Sequence, residues 1–331
     1  MVVVMAKRYI ERKRTGVRSF QYFHDGRQID AKNELAYLKS LGIPPAWQDV
    51  KISASRNARI LATGVDKAER LQYIYHPKFR ARQEKEKFER ILRFARALPR
   101  ARRVTAEHLR QPGLPREKVL ACIVQLMDKA YFRVGNEQYA QENQTYGLTT
   151  LRSKHTEVKG DTIIFDFIGK SGQKHLKKVT DKRLAKIVKQ LDDLPGYEIF
   201  QYIGQDGGQH DIHSDDVNAY IKDIMGEEFS AKDFRTWGGT LLASIELSQT
   251  ERSRSKSERK KAVTKCVIKV AQKLGNTPAI ARASYIDPRI VKAYVDTNEL
   301  YKVREAIKTL RRAEYLTSDE HCVLHLLEKH A

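Results

Sequence analysis

Five side chains of this 331-residue sequence have the types needed to act together on a phosphate diester. They are Arg133, Lys170, Arg235, Asn276 and Tyr285, in that order. Arginine's planar fork donates paired hydrogen bonds and stays charged, which suits nonbridging oxygens on which charge builds. A lysine can give its proton to a basic alkoxide leaving group. A tyrosine can attack phosphorus where no metal activates water, and the ester it forms stores the energy of the broken bond. Each residue alone also has a plainer reading. Tyr285 reads as a packed tyrosine at a helix end. Lys170 reads as a solvated turn lysine, with Lys174 as a rival. Arg235 has Asp233 and Glu228 as candidate partners, and Asn276 can help cap the helix that follows it.

Composition narrows the substrate. Lysine and arginine number 62 against 41 aspartates and glutamates, a net charge of +21. Such an excess points to a polyanion, nucleic acid before an acidic membrane surface. The blander readings are a solvated basic surface or a ribosome-associated protein. No run approaches the roughly 18–20 apolar residues that span a bilayer. The apolar start, Met1 to Ala6, is shorter than a signal-peptide core, and its charges follow it. The expectation is a cytoplasmic, nucleoid-associated protein with no membrane partner. Cys122, Cys266 and Cys322 form neither a disulfide framework nor a metal motif and read as small core residues. There is no phosphate-binding Gly-x-x-x-x-Gly-Lys loop, no His-Glu-x-x-His and no tight carboxylate cluster. No cofactor and no metal site are therefore expected. Gly204-Gln205-Asp206-Gly207-Gly208 reads as a loop before a helix at Ser214.

The elements that must position the five residues fall into two parts. Residues 8–75 read as short strands, with a tight turn at Asp25-Gly26 and a helix over 31–41. Strands follow near 49–53, 58–63 and 70–75. The last puts Leu71, Tyr73 and Tyr75 on one face, either as a core face or against a nucleic acid. The texture turns helical over 79–97, which places a domain boundary near residue 82: 1–82 β-rich, 83–331 mostly helical. A β-hairpin interrupts the helices, Thr162 to Ile168 and His175 to Val179, with Lys170 at its turn. Ser214, Ser230 with Asp233, Thr277-Pro278 and Asp287-Pro288 each open a helix. The second proline stops the helix from 278 by about residue 286. Tyr285 then sits at a frayed end where a side chain can move. Residues 248–257 read as an exposed loop before a basic helix at 258–274, and two helices near 298–313 and 318–330 close the chain.

Several stretches resemble type IB DNA topoisomerases of the compact, poxvirus-like branch found in bacteria. They are Arg133 to Leu151 with Lys154-His155, Gly169 to Gly172, Lys232 to Trp237, and Ser284 to Pro288. Residues 43–76 resemble the family's small β-rich domain, so the similarity covers nearly the whole chain. The resemblance implies an α+β protein, a small mainly antiparallel N-terminal domain that clamps DNA and a larger, mostly helical catalytic domain carrying a hairpin. It implies that Tyr285 is the nucleophile that becomes linked to the 3′ side of a DNA phosphate. Arg133 and Arg235 would bind the nonbridging oxygens, Lys170 would be general acid to the leaving 5′-oxygen, and Asn276 would donate to the scissile phosphate. Poxvirus and nuclear enzymes resemble each other in carrying histidine where Asn276 stands, and asparagine cannot supply a titrating proton. Gln72, Tyr73, Tyr139 and Lys154 resemble positions that touch DNA, and Arg252, Arg254 and Lys256 are candidates for phosphate contacts.

The implied activity is relaxation of duplex DNA of either supercoil sign by a monomer, through transient single-strand cleavage and without ATP or metal. Two other readings compete. Tyrosine recombinases share this fold and nucleophile but usually place histidine three residues before the second arginine, where Lys232 stands here. A noncatalytic DNA-binding relative would have lost one of the five residues, and all five are present.

Overall fold

The computed structural model describes residues 9–250, 253–297, 299–307 and 314–330. The chain divides into two compact units, residues 1–87 and 88–331.

The first unit is built on strands β1 (Tyr9–Arg14), β2 (Phe20–His24), β3 (Arg27–Gln28), β4 (Gln48–Ser53), β5 (Ile60–Val65) and β6 (Leu71–Tyr75), with helix α1 (Lys32–Ser40). They form one antiparallel sheet in the order β3-β2-β1-β4-β5-β6. The β2–β3 turn uses Asp25 at φ +48° and Gly26 at φ +78°, the left-handed pair that a two-residue hairpin requires. Ile10 opposite Ile52, and Ile52 opposite Ala62, put the apolar residues of three strands on one face. Leu38 of α1 packs into the same core. On β6 the alternation leaves Leu71, Tyr73 and Tyr75 exposed, at 55%, 44% and 36%. The expected alternative of a core face is therefore not what the structure shows.

Helix α2 (Pro77–His108) starts in the first unit and runs on into the second, which continues with α3 (Arg116–Ala130), α4 (Glu137–Asn143), β7 (Thr156–Lys159), β8 (Thr162–Gly169), β9 (Gln173–Thr180), α5 (Lys182–Asp192), β10 (Gln201–Ile203), β11 (Gln209–Asp211), α6 (Ser214–Met225), α7 (Ala231–Gln249), α8 (Lys256–Leu274), α9 (Pro278–Ser284), α10 (Pro288–Lys292), α11 (Glu299–Ile307) and α12 (Ser318–Lys329). A π-helical turn, Ala293–Thr297, follows α10. Helix α3 runs through the core, and Val119 to Val124 are all at or below 2% exposure. Phe94 of α2, Trp237 of α7 and Tyr294 pack into the same cluster. On β8 the period-2 pattern buries Ile163, Phe165 and Phe167, and α5 covers the sheet with Leu184, Ile187, Val188 and Leu191.

The architecture is α+β, as the sequence implies, with local differences. The hairpin is joined by a third strand, β7, paired to β8 from Thr156 opposite Phe165 to Lys159 opposite Thr162. Four half-polar residues give no apolar alternation by which to read that strand. The glycine-rich run 204–208 is not simply a loop before α6. It is the turn of a small hairpin, β10 with β11. The helix read over 79–97 extends from Pro77 to His108 and continues through Pro99. The exposed loop read over 248–257 is shorter, because α7 runs to Gln249 and α8 starts at Lys256. Residues 308–313 of the expected tail helix lie outside the described residues.

Candidate active site

Arg133 follows α3, which ends in a left-handed cap at Tyr131, φ +55°. The chain then runs extended and is pinned to the 147–149 segment. Leu148 N donates to the Arg133 carbonyl at 2.9 Å and Thr149 N to that of Val134 at 2.7 Å. Gly135 and Gly147 allow this approach. A Cβ on Gly147 would lie 2.5 Å from the Gly135 backbone. So held, the Arg133 guanidinium donates to the Gly275 carbonyl at 3.0 Å.

Arg235 lies in the second turn of α7. The Ser230–Asp233 capping box starts that helix, with Ser230 N donating to Asp233 Oδ2 at 2.9 Å. Both carboxylates that might have held Arg235 are engaged elsewhere, Asp233 by Arg90 and Glu228 by Arg93. Arg235, 3% exposed, donates instead to the carbonyls of Tyr131 and Leu274 and, at 2.6 Å, to Asn276 Oδ1. These carbonyls close the C-terminal ends of α3 and α8. Helix-end carbonyls have no partner within the helix and carry its partial negative charge, so a buried guanidinium is suited to them. The Arg235 Nε is buried with no hydrogen-bond partner in the protein.

Asn276 follows Gly275, the left-handed cap of α8, and its N–H donates to the Ala271 carbonyl at 2.9 Å. It does not cap the next helix, because the Thr277 hydroxyl accepts from Ile280 N in that role. Its side chain belongs to the Arg235 cluster.

Tyr285 is the C-cap of α9, and the expected frayed end is not what the structure shows. Its N–H donates to the Ala281 carbonyl at 3.0 Å. Its own carbonyl accepts from the Thr240 hydroxyl at 3.2 Å, and that hydroxyl accepts from Asp287 N at 3.1 Å. Asp287 is fully buried, caps α10 and pairs with Arg289 at 2.7 Å. The backbone is thus clasped by α7, and the Arg235 guanidinium stands 5.1 Å from the Tyr285 ring centroid.

Lys170 occupies the β8–β9 turn, beside Ser171 and Gly172, both at positive φ. One open cavity of about 480 Å³ is lined by all five residues, Arg133, Lys170, Arg235, Asn276 and Tyr285. The rival Lys174 is absent from that lining and pairs with Asp166 at 3.5 Å. The site is strongly cationic. Burial first, then the neighbouring Arg235, lowers Arg133 to about 10. Burial also lowers Arg235, while Tyr285 works in the opposite direction. Among the described residues no group of three histidine, cysteine, aspartate or glutamate side chains is arranged to hold a metal.

Sequence reasoning passed over the groups behind this cavity. His175, 6% exposed, stacks on Phe167 at 5.0 Å, and burial with its cationic neighbours lowers it to about 4. Lys177 donates to the carbonyls of Ala130 and Lys273, and burial with Arg235 and Arg133 lowers it to about 7. Neither residue carries a signal in the sequence, whereas Gly238-Gly239 inside α7 does mark a close approach to that helix, since paired glycines within a helix are unusual. A Cβ on Gly238 would lie 2.3 Å from the Tyr131 ring.

The other candidates are scattered. Tyr139, half-buried in α4, lines a smaller cavity with Arg133 and Lys170. Lys154 and Arg254 are exposed, and Lys256 pairs with Asp296 at 2.8 Å. On β6 of the first unit, Gln72 donates to Asp66 at 2.9 Å, while Tyr73 stacks on Tyr75 at 5.9 Å. Arg252 lies outside the described residues.

Comparison with known proteins adds two family matches. Residues 76–313 match the family model for the catalytic core of eukaryotic DNA topoisomerase I, and residues 19–66 match that for the N-terminal domain of bacterial DNA topoisomerase IB. DNA topoisomerase 1B of Acanthamoeba polyphaga mimivirus is 30% identical over 299 residues, 88% of this chain and 89% of the viral one. DNA topoisomerase 1B of Vaccinia virus (strain Copenhagen) is 26% identical over 245 residues, 73% of this chain and 74% of its own. DNA topoisomerase 1 of Mycosarcoma maydis is 28% identical over 191 residues, 52% of this chain but 18% of its own. Among the described residues no helix is long and apolar enough to cross a membrane.

Proposed function

The chain belongs to the type IB DNA topoisomerases, and from that premise we propose that it relaxes duplex DNA of both supercoil signs, without ATP or metal, through a 3′-phosphotyrosyl intermediate on Tyr285. The observation that carries this reading is the gathering of Arg133, Lys170, Arg235, Asn276 and Tyr285 around one cavity from five separate stretches of chain.

In the proposed reaction the Tyr285 phenolic oxygen attacks phosphorus and its proton passes to solvent. The bond from phosphorus to the 5′-oxygen breaks, and Lys170 gives that oxygen a proton. Arg133 and Arg235 bind the nonbridging oxygens, where fixed donors are most effective as charge grows. Asn276 orients the phosphate through its amide. One ester replaces another, so religation is the same step reversed and needs no external energy source. The exposed Leu71, Tyr73 and Tyr75 face supports a DNA-clamping role for the β-rich domain, and the net charge of +21 supports a DNA partner along its length. We assign the enzyme to the cytoplasm, at the nucleoid, as a monomer.

Plasmid relaxation in excess EDTA without ATP tests the proposal, with positively and negatively supercoiled DNA and Tyr285→Phe beside wild type. Relaxation of both substrates by wild type and of neither by the variant is the expected result. Tight duplex binding without relaxation would overturn it in favour of a recombinase or a noncatalytic DNA-binding protein.

A further inference from the structure

Two cations bridge the same pair of helix ends on neighbouring residues. Arg235 donates to Tyr131 at the end of α3 and to Leu274 at the end of α8. Lys177 Nζ donates to Ala130 at 2.6 Å and to Lys273 at 3.3 Å, one residue earlier on each helix. The two bridges are parallel rungs across one gap. Arg133 adds a bond to Gly275, the next residue of the α8 end.

We propose that Lys177 is a positioning residue for the cleavage reaction, setting the gap between the ends of α3 and α8 that Arg235 spans. This rests on the functional reading above. Lys177 reaches the gap from β9, the return strand of the hairpin whose turn carries Lys170. One side chain therefore ties the element bearing the general acid to both carbonyl sets that orient the guanidinium. Its Nζ lies 5.3 Å from the Phe132 ring centroid, and Phe132 stands between Tyr131 and Arg133 in the chain. The cost of the arrangement supports a role beyond packing. Three cations are crowded together, and burial, with Arg235 and Arg133 beside it, lowers Lys177 from the ordinary lysine value to about 7. An apolar side chain would fill the same space without that repulsion but would leave two helix-end carbonyls unbonded. His175, on the same strand two residues earlier, faces the Gly275 backbone. A Cβ on Gly275 would stand 2.0 Å from its ring, so β9 meets the α8 end at two successive inward positions.

The experiment is a double-mutant cycle on single-turnover formation of the covalent DNA complex, at saturating protein. Lys177→Met is made in the wild type and in Arg235→Lys, and duplex affinity and thermal unfolding are measured beside it. A residue acting through Arg235 slows cleavage about 100-fold in the wild type, the scale of an ångström-sized misplacement. In the Arg235→Lys background it adds about threefold or less, because coupled residues are not additive. Duplex affinity stays within about threefold, and Lys177→Arg, which keeps the donors, restores most of the rate. Should Lys177→Met not fold, Lys177→Gln, which keeps a donor for one carbonyl, carries the same cycle. Equal losses in both backgrounds, a loss confined to affinity, or an unchanged rate would overturn the role. The wild-type trace separates the two claims. No covalent complex from wild type overturns the functional reading and this role with it. Normal wild-type cleavage with additive losses overturns the role of Lys177 alone.

Discussion

Gly239, within α7, lies so close to Tyr285 that a Cβ on it would stand 2.5 Å from the Tyr285 carbonyl oxygen and 2.9 Å from the Tyr285 Cβ. The backbone of the proposed nucleophile is therefore seated against the helix that carries Arg235, four residues before this glycine. Gly239→Ala improves helix propensity, so an effect on the reaction must come from displacement. The expected outcome is a fall of about 100-fold in covalent complex formation with duplex affinity nearly unchanged. Single-turnover cleavage beside a binding titration checks it. Equal rates for variant and wild type would show that the seat does not matter.

The two hairpin lysines are expected to separate cleanly. Lys170 lines the cavity, whereas Lys174 pairs with Asp166. Lys170→Ala should slow cleavage by about 100-fold or more, the usual worth of a general acid. A DNA substrate with sulfur in place of the scissile 5′-oxygen should recover most of that loss, because a thiolate leaves without a proton. Lys174→Ala should cleave both substrates like wild type. The converse pattern would move the acid to Lys174.

Stability should fall in mild acid for a reason located behind the site. His175 is lowered to about 4 by burial and by Lys177, Arg133 and Arg235. The unfolded chain takes up that proton near pH 6.5 and the folded chain only near 4, so the unfolded state binds more protons in between. This contribution is fully present above about pH 6.5 and is lost as pH falls toward 4. His175→Phe, which keeps a ring against Phe167, should flatten this part of the profile. Urea unfolding at pH 7, 5.5 and 4.5 measures it, and identical slopes for both proteins would count against the assignment.

A buried ion network should matter for folding rather than for chemistry. Arg102 pairs with Asp128 at 2.7 Å and with Glu320 at 2.6 Å. Glu320 also closes the α12 capping box with Thr317 and accepts from the Trp237 indole at 3.4 Å. Glu320→Ala leaves a half-buried guanidinium short of one partner and should cost about 3 kcal/mol in urea unfolding. Cleavage per folded molecule should stay within about threefold of wild type. A stable variant with impaired cleavage would reverse that division.

The sequence alone determined the features that depend on neighbours along the chain. Thr277-Pro278 and Asp287-Pro288 open their helices because a capping side chain and a fixed proline φ act within one turn. Asp25-Gly26 and the alternation of Ile163, Phe165 and Phe167 are local in the same way, as is the order of the five site residues. Tertiary structure decided what each of those residues touches. Nothing in the sequence marks Tyr131 and Leu274 as the acceptors of Arg235, or Ala130 and Lys273 as those of Lys177. Every residue carries a backbone carbonyl, and its letter does not say which way that carbonyl faces. The direction is fixed only where two helices end side by side, and there the unpaired carbonyls, not the nearby carboxylates Asp233 and Glu228, take up Arg235.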